Sequence, residues 1–121
     1  MSTINNVAAL DQALNEAVLS GKALEAFEKY YADDVVMQEN SGDPFVGKEL
    51  NRNREIEFFS SIAESHSGKA EATAVNGDTT FGQWSMDVTF KNGHRFALNQ
   101  VAVRKWKDGK IVHERFFYNK G

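Results

Sequence analysis

Glu39, Gln100 and Glu114 are the side chains whose type and spacing best suit chemistry. Each falls on the face of a strand-like run that is otherwise apolar. Glu39 closes the short run Val35-Val36-Met37-Gln38-Glu39, Gln100 alternates with Phe96, Leu98 and Ala102, and Glu114 alternates with Val112, Phe116 and Tyr118. A carboxylate taken out of water is costly unless it is paired or used. Two readings follow. Either these groups sit at the open rim of a sheet or pair with Arg52 or Arg104, or they converge on a pocket, where a carboxylate moves a proton beside a carbonyl group. Met37, Trp84, Met86, Phe116 and Tyr118 lie on the same strand faces and are the expected ligand-contacting wall.

Other motifs carry less. Gly42-Asp-Pro-Phe-Val-Gly47-Lys48 matches the front of a phosphate-binding loop, but Glu49 stands where a magnesium-binding hydroxyl is needed, and Pro44 lacks a backbone N–H. His66, His94 and His113 have no metal-ligand spacing among themselves, and cysteine is absent, so no metal or cofactor is expected. No Gly-x-Ser-x-Gly elbow is present.

The elements that must position these residues are legible from periodicity. Ile4, Val7, Leu10, Leu14 and Val18 recur at helical spacing, and Ser20-Gly21 stops that helix. Leu24, Phe27 and Tyr31 mark a second helix that ends at Asp33-Asp34. After the short strand 35–39 and the turn residues 40–44, a third helix is expected over Lys48 to Ser65, with Ile56, Phe59, Ile62 and Ala63 as its apolar stripe. Beyond Gly68 the period changes to two. Asn76-Gly77, Asn92-Gly93 and Asp108-Gly109 separate strands at 69–76, 79–91, 95–107 and 110–118, as in type I′ hairpins. Helices and strands are segregated, so the class is α+β, in one domain over residues 1–121.

Within the meander, Trp84, Met86, Val88 and Phe90 share a face, as do Phe96, Leu98, Gln100, Ala102, Arg104 and Trp106. Val112, Glu114, Phe116 and Tyr118 share one face of the last strand, and Ile111, His113, Arg115 and Phe117 the other. The last two strands are apolar on both sides. Helices cover one side; a homodimer through Val101, Val103 and Phe117 is expected to cover the other.

Composition bounds the partners. The 121 residues are 41% hydrophobic with nine Phe, which suffices for a packed core. The net charge of -3 lacks the basic balance of a nucleic-acid binder. No apolar run approaches the roughly 20 residues that cross a bilayer, and Met1 to Asn6 carry no export signal, so a cytoplasmic protein is expected.

Three segments resemble the NTF2-like superfamily, and within it the SnoaL-like proteins: Tyr30-Tyr31-Ala32-Asp33-Asp34-Val35, the Gly47-Lys48 helix entry, and Trp106-Lys107-Asp108-Gly109-Lys110-Ile111-Val112. The resemblance implies a cone, with a curved antiparallel sheet wrapped on three helices and a pocket at its mouth, often in a homodimer. It implies a small apolar or aromatic organic ligand, and a cofactor-free isomerase, cyclase or dehydratase or else a non-catalytic binding or assembly module. On the ketosteroid isomerase pattern Glu39 takes the place of the base. The donors that would stabilise an oxyanion fall on Leu14 and on Val101 or Ala102, which cannot donate, leaving Gln100 as the substitute and Glu114 as a second acid–base group.

Overall fold

The computed structural model describes residues 7–119. Ile4, expected to open the first helical stripe, lies outside them. The elements are α1 (Val7–Leu19), α2 (Ala23–Tyr30), β1 (Tyr31–Glu39), β2 (Phe45–Val46), α3 (Lys48–Ser60), β3 (Ile62–Asn76), β4 (Thr79–Phe90), β5 (Arg95–Lys107) and β6 (Lys110–Tyr118). The six strands form one curved, unclosed sheet in the order β2-β1-β6-β5-β4-β3, and the helices pack against its concave side, giving an α+β cone. Among the described residues no helix is long and apolar enough to cross a membrane.

The meander β3 to β6 is antiparallel throughout, but β1 runs parallel to β6. That pairing was not legible in turn chemistry, because the two strands are joined through the rest of the chain. The expected type I′ backbone, with positive φ at both turn residues, occurs only at Asp108-Gly109. At the β3–β4 turn Gly77 alone has positive φ, and at the β4–β5 turn Gly93 alone does. A glycine leading a two-residue loop, as in Gly77-Asp78, is the type II′ pattern, which meets the same strand twist.

Two helix boundaries differ from expectation. α2 ends at Tyr30, so Tyr31 is the first residue of β1; its ring still stacks on Phe27 at 4.6 Å between centroids. α3 ends at Ser60, not Ser65, and residues 62–65 instead open β3, with Ile62 opposite Phe90 and Ser65 opposite Val88. The ladder with β4 outweighs the local helical preference there. β3 is an exposed edge strand whose pairing is interrupted by three register shifts, a device that limits edge-to-edge association.

The core is built from Val7, Leu14, Phe27, Tyr30, Val35, Met37, Trp106 and Ile111. Ile111 was expected on the outer face. It is fully buried because the β5–β6 register shifts between Lys105 and Trp106: Lys105 faces His113 while Trp106 faces Ile111, which leaves Val112 as the extra residue. A bulge of one residue reverses the facing of everything before it on that strand.

Candidate functional site

Between the helices and the sheet lies a cavity of about 660 Å³. All eight residues singled out from the sequence border it: Glu39, Gln100 and Glu114, with Met37, Trp84, Met86, Phe116 and Tyr118. Strand alternation brings them together. Trp84 faces Gln100 and Met86 faces Leu98 across β4 and β5, while Met37 faces Glu114 and Glu39 faces Phe116 across β1 and β6.

Glu39 stands at the open end of β1, with its side chain 38% exposed. One oxygen accepts from Arg54 Nη2 at 2.5 Å and the other accepts the hydroxyl of Tyr118. Its ion-pair partner is therefore Arg54. Arg52 instead bonds Glu28 through both Nε and Nη2, and Arg104 lies deeper in the fold. Arg54 is itself fixed: Nη1 donates to Asn51 Oδ1 at 2.9 Å, and the guanidinium lies 3.6 Å from the centre of the Phe45 ring. Asn51 is fully buried and donates to the carbonyls of Phe45 and Gly47, which staples the start of α3 to β2. Burial and the bond to Glu39 push the Tyr118 phenol up to about 12, so it serves as a neutral donor.

Glu114 is fully buried, and both its oxygens are taken, one by the Tyr31 hydroxyl at 2.7 Å and one by Arg104 Nε at 2.8 Å. Arg104 also donates to Asp11 Oδ1 at 2.8 Å and to Asn15 Oδ1 at 2.7 Å. Asp11 in turn accepts from Thr80, whose hydroxyl accepts from the Trp106 indole. Burial opposes the charge of Arg104, yet Glu114, Tyr31 and Asp11 outweigh it and hold the guanidinium well protonated. Burial raises the Tyr31 phenol far above its ordinary range, and Glu114 adds to this. This network ties α1 to β1, β4, β5 and β6 behind the cavity. Asp11 and Asn15 were missed as partners of Arg104, although both lie on the stripe that carries Val7 and Leu14.

The cavity also holds a residue that the periodicity reading passed over. Glu55 borders it and, among the described residues, has no side-chain hydrogen-bond partner. Burial first, and then the nearby charge of Glu114, push its carboxyl up to about 7. The missed signal is the facing of α3. Ile56 was expected inward but is 44% exposed, whereas Glu55 and Phe58 border the cavity. Asn51, Glu55 and Phe58 share a face at helical spacing, so this helix turns a partly polar face inward; of the expected stripe Phe59 and Ile62 border the cavity, while Ile56 and Ala63 are exposed. Gln100 and the Trp84 indole likewise border the cavity without a side-chain hydrogen bond. Among the described residues no cluster of His, Asp or Glu could hold a metal ion.

A family model described as a SnoaL-like domain matches residues 5–118. The chain belongs to the SnoaL-like family. A protein of Mesorhizobium loti named a SnoaL-like polyketide cyclase is 33% identical, with 93% of this chain and 98% of that one covered and a TM-score of 0.81. An LEH-like epoxide hydrolase of M. tuberculosis is 13% identical, with 98% and 86% covered and a TM-score of 0.78. A protein of Catenulispora acidiphila with a ketosteroid isomerase-like fold, in complex with trimethylamine, is 15% identical, with 89% and 84% covered and a TM-score of 0.73. Comparison with curated proteins returns no match. This SnoaL-like chain thus shares a scaffold that carries several activities, and its own chemistry must be argued from its own side chains.

Proposed function

We propose that the cavity binds a small, largely apolar organic molecule and that the protein transfers a proton on it, in an isomerisation, cyclisation or dehydration that needs no cofactor. The observation that carries this reading is Glu55, a carboxyl without a partner on the wall of an otherwise mostly apolar cavity. A carboxyl poised at about 7 is present in both protonation states near neutral pH, so it can take a proton from carbon and return it. The side-chain amide of Gln100 and the indole N–H of Trp84 are free to donate to an oxygen that gains charge during that transfer. Met37, Met86, Phe116 and Tyr118 supply apolar contact. We assign Glu39 and Glu114 to orientation, because their oxygens already hold Arg54 and Tyr118, and Arg104 and Tyr31. The Catenulispora protein supports the size class of the ligand, since trimethylamine is a small organic molecule.

The test begins with native mass spectrometry of freshly purified protein to find a co-purified ligand. That ligand is then incubated with the protein in deuterium oxide and its C–H exchange is followed by NMR. Exchange well above the buffer rate is expected, with Glu55→Gln slower by about 100-fold or more. Binding without exchange would favour the alternative, a non-catalytic binding module. The apolar side chains of Leu14 and Ala102, at the positions where the isomerase pattern carries oxyanion donors, speak for that alternative.

We further propose a homodimer through the outer sheet face. Val101 and Phe117 pair there and are 39% and 41% exposed. Phe81 faces Val103 on one side and Ala74 on the other, which extends the apolar patch across four strands. Light scattering should give twice the chain mass of 13.6 kDa, and Phe117→Asp should return the single-chain value. A single-chain mass for the parent at micromolar concentration would refute the dimer.

A further inference from the structure

We infer that the molecule seated in this cavity carries a positive charge, as a protonated amine or quaternary ammonium group held between Glu55 and the aromatic wall. The inference rests on the reading of the cavity as a ligand site and adds the chemical class of the ligand.

The charges around the cavity do not balance. Its two guanidinium groups are both already matched by carboxylates: Arg54 by Glu39 at 2.5 Å, and Arg104 by Asp11 and Glu114, each at 2.8 Å. Among the described residues no lysine or histidine borders the cavity. The carboxyl of Glu55 is left over. It feels Glu114 of β6 and Glu39 of β1 as like charges, against the already neutralised Arg54 of α3 and Arg104 of β5. Among the described residues, the remaining titratable groups that border the cavity are the phenols of Tyr31 and Tyr118. An anionic ligand would add negative charge where, among the described residues, no free cation waits for it, and like charges repel most strongly where water is excluded. A cationic ligand would supply the missing counter-charge.

The wall suits the same class. Phe58, Phe59, Trp84, Phe116 and Tyr118 border the cavity, and the faces of such rings attract a desolvated cation. The free carbonyl oxygen of the Gln100 amide can accept an N–H from an ammonium group. A cation at Glu55 favours its ionised form and so draws off its proton. Binding should therefore strengthen as pH rises through the region where the free protein loses that proton, and below that region it should release a proton to the buffer.

The test uses the intact chain and three probes of one shape and different charge: benzylamine, which is protonated near neutral pH, benzyl alcohol and benzoate. Affinities are measured by titration calorimetry at pH 6 and pH 8. Benzylammonium should bind about tenfold or more tightly than benzyl alcohol at pH 8, with benzoate weakest, and the preference should shrink at pH 6. In Glu55→Gln the ammonium and the alcohol should bind within about twofold of each other. If the alcohol binds but the ammonium is not preferred, or if Glu55→Gln keeps the preference, the charge inference falls and the cavity remains a ligand site. If none of the three binds, both readings fall together.

Discussion

Glu55→Gln should be more stable than the parent at pH 8, by up to about 3 kcal/mol, and no more stable at pH 4. In the folded protein the Glu55 carboxyl stands at about 7 rather than 4.5, chiefly because burial strips water from its charged form. Each unit of such a shift is worth about 1.4 kcal/mol. A raised folded-state value means that the native chain holds this proton more tightly than the unfolded chain does. The resulting stabilisation is fully present below about 4.5 and is lost as pH climbs to about 7, beyond which the parent carries an uncompensated buried charge. Glutamine keeps the shape and removes that charge. Urea melts of both proteins at pH 4, 6 and 8 should diverge steadily, and proton transfer should be lost over the same comparison. A residue retained at a cost in stability is what a working acid–base group looks like. If Glu55→Gln is the less stable protein at pH 8, the carboxylate has a structural partner and the proton-transfer assignment goes with it.

Arg104→Met should be among the most damaging single changes in the chain. It strips the counter-charge from Asp11 and Glu114 together, and both are buried. Breaking a buried pair from one side costs about 3–5 kcal/mol, because the surviving charge is left without water or partner. That is a large part of the roughly 5–15 kcal/mol that holds a domain of this size together. The same change unties α1 from the sheet, since Arg104 bonds both Asp11 and Asn15 on that helix. Amide exchange should therefore accelerate in α1 before it does so in β4 and β5. Adding Glu114→Gln to Arg104→Met removes one of the stranded charges and should recover part of the loss. A loss below about 1 kcal/mol for Arg104→Met would show that the network is better solvated than its burial indicates.

The pairing of β4 with β5 was legible because its causes are local. Gly77, Gly93 and Gly109 take positive φ where the sequence places them, and between those turns the two-residue period of β4 and β5 sorts Trp84, Met86, Gln100 and Arg104 inward without reference to the rest of the chain. Glu39, Gln100 and Glu114 were conspicuous for the same reason, as polar residues out of phase with apolar neighbours. What they do depended on distant partners. Glu39 meets Arg54, not Arg52 or Arg104, because Asn51 fixes how α3 leaves β2. Ile111 turns inward because one extra residue at Val112 shifts the β5–β6 register. Glu55 was hidden because a helix facing a cavity has no continuous apolar stripe: Phe59 does border the cavity, but Ile56 turns outward and the carboxyl of Glu55 takes the inward position beside it. Periodicity records which residues avoid water. It carries no record of a space that the fold keeps open, nor of which buried charge finds an opposite one, since both are set by elements far apart in sequence meeting at one place.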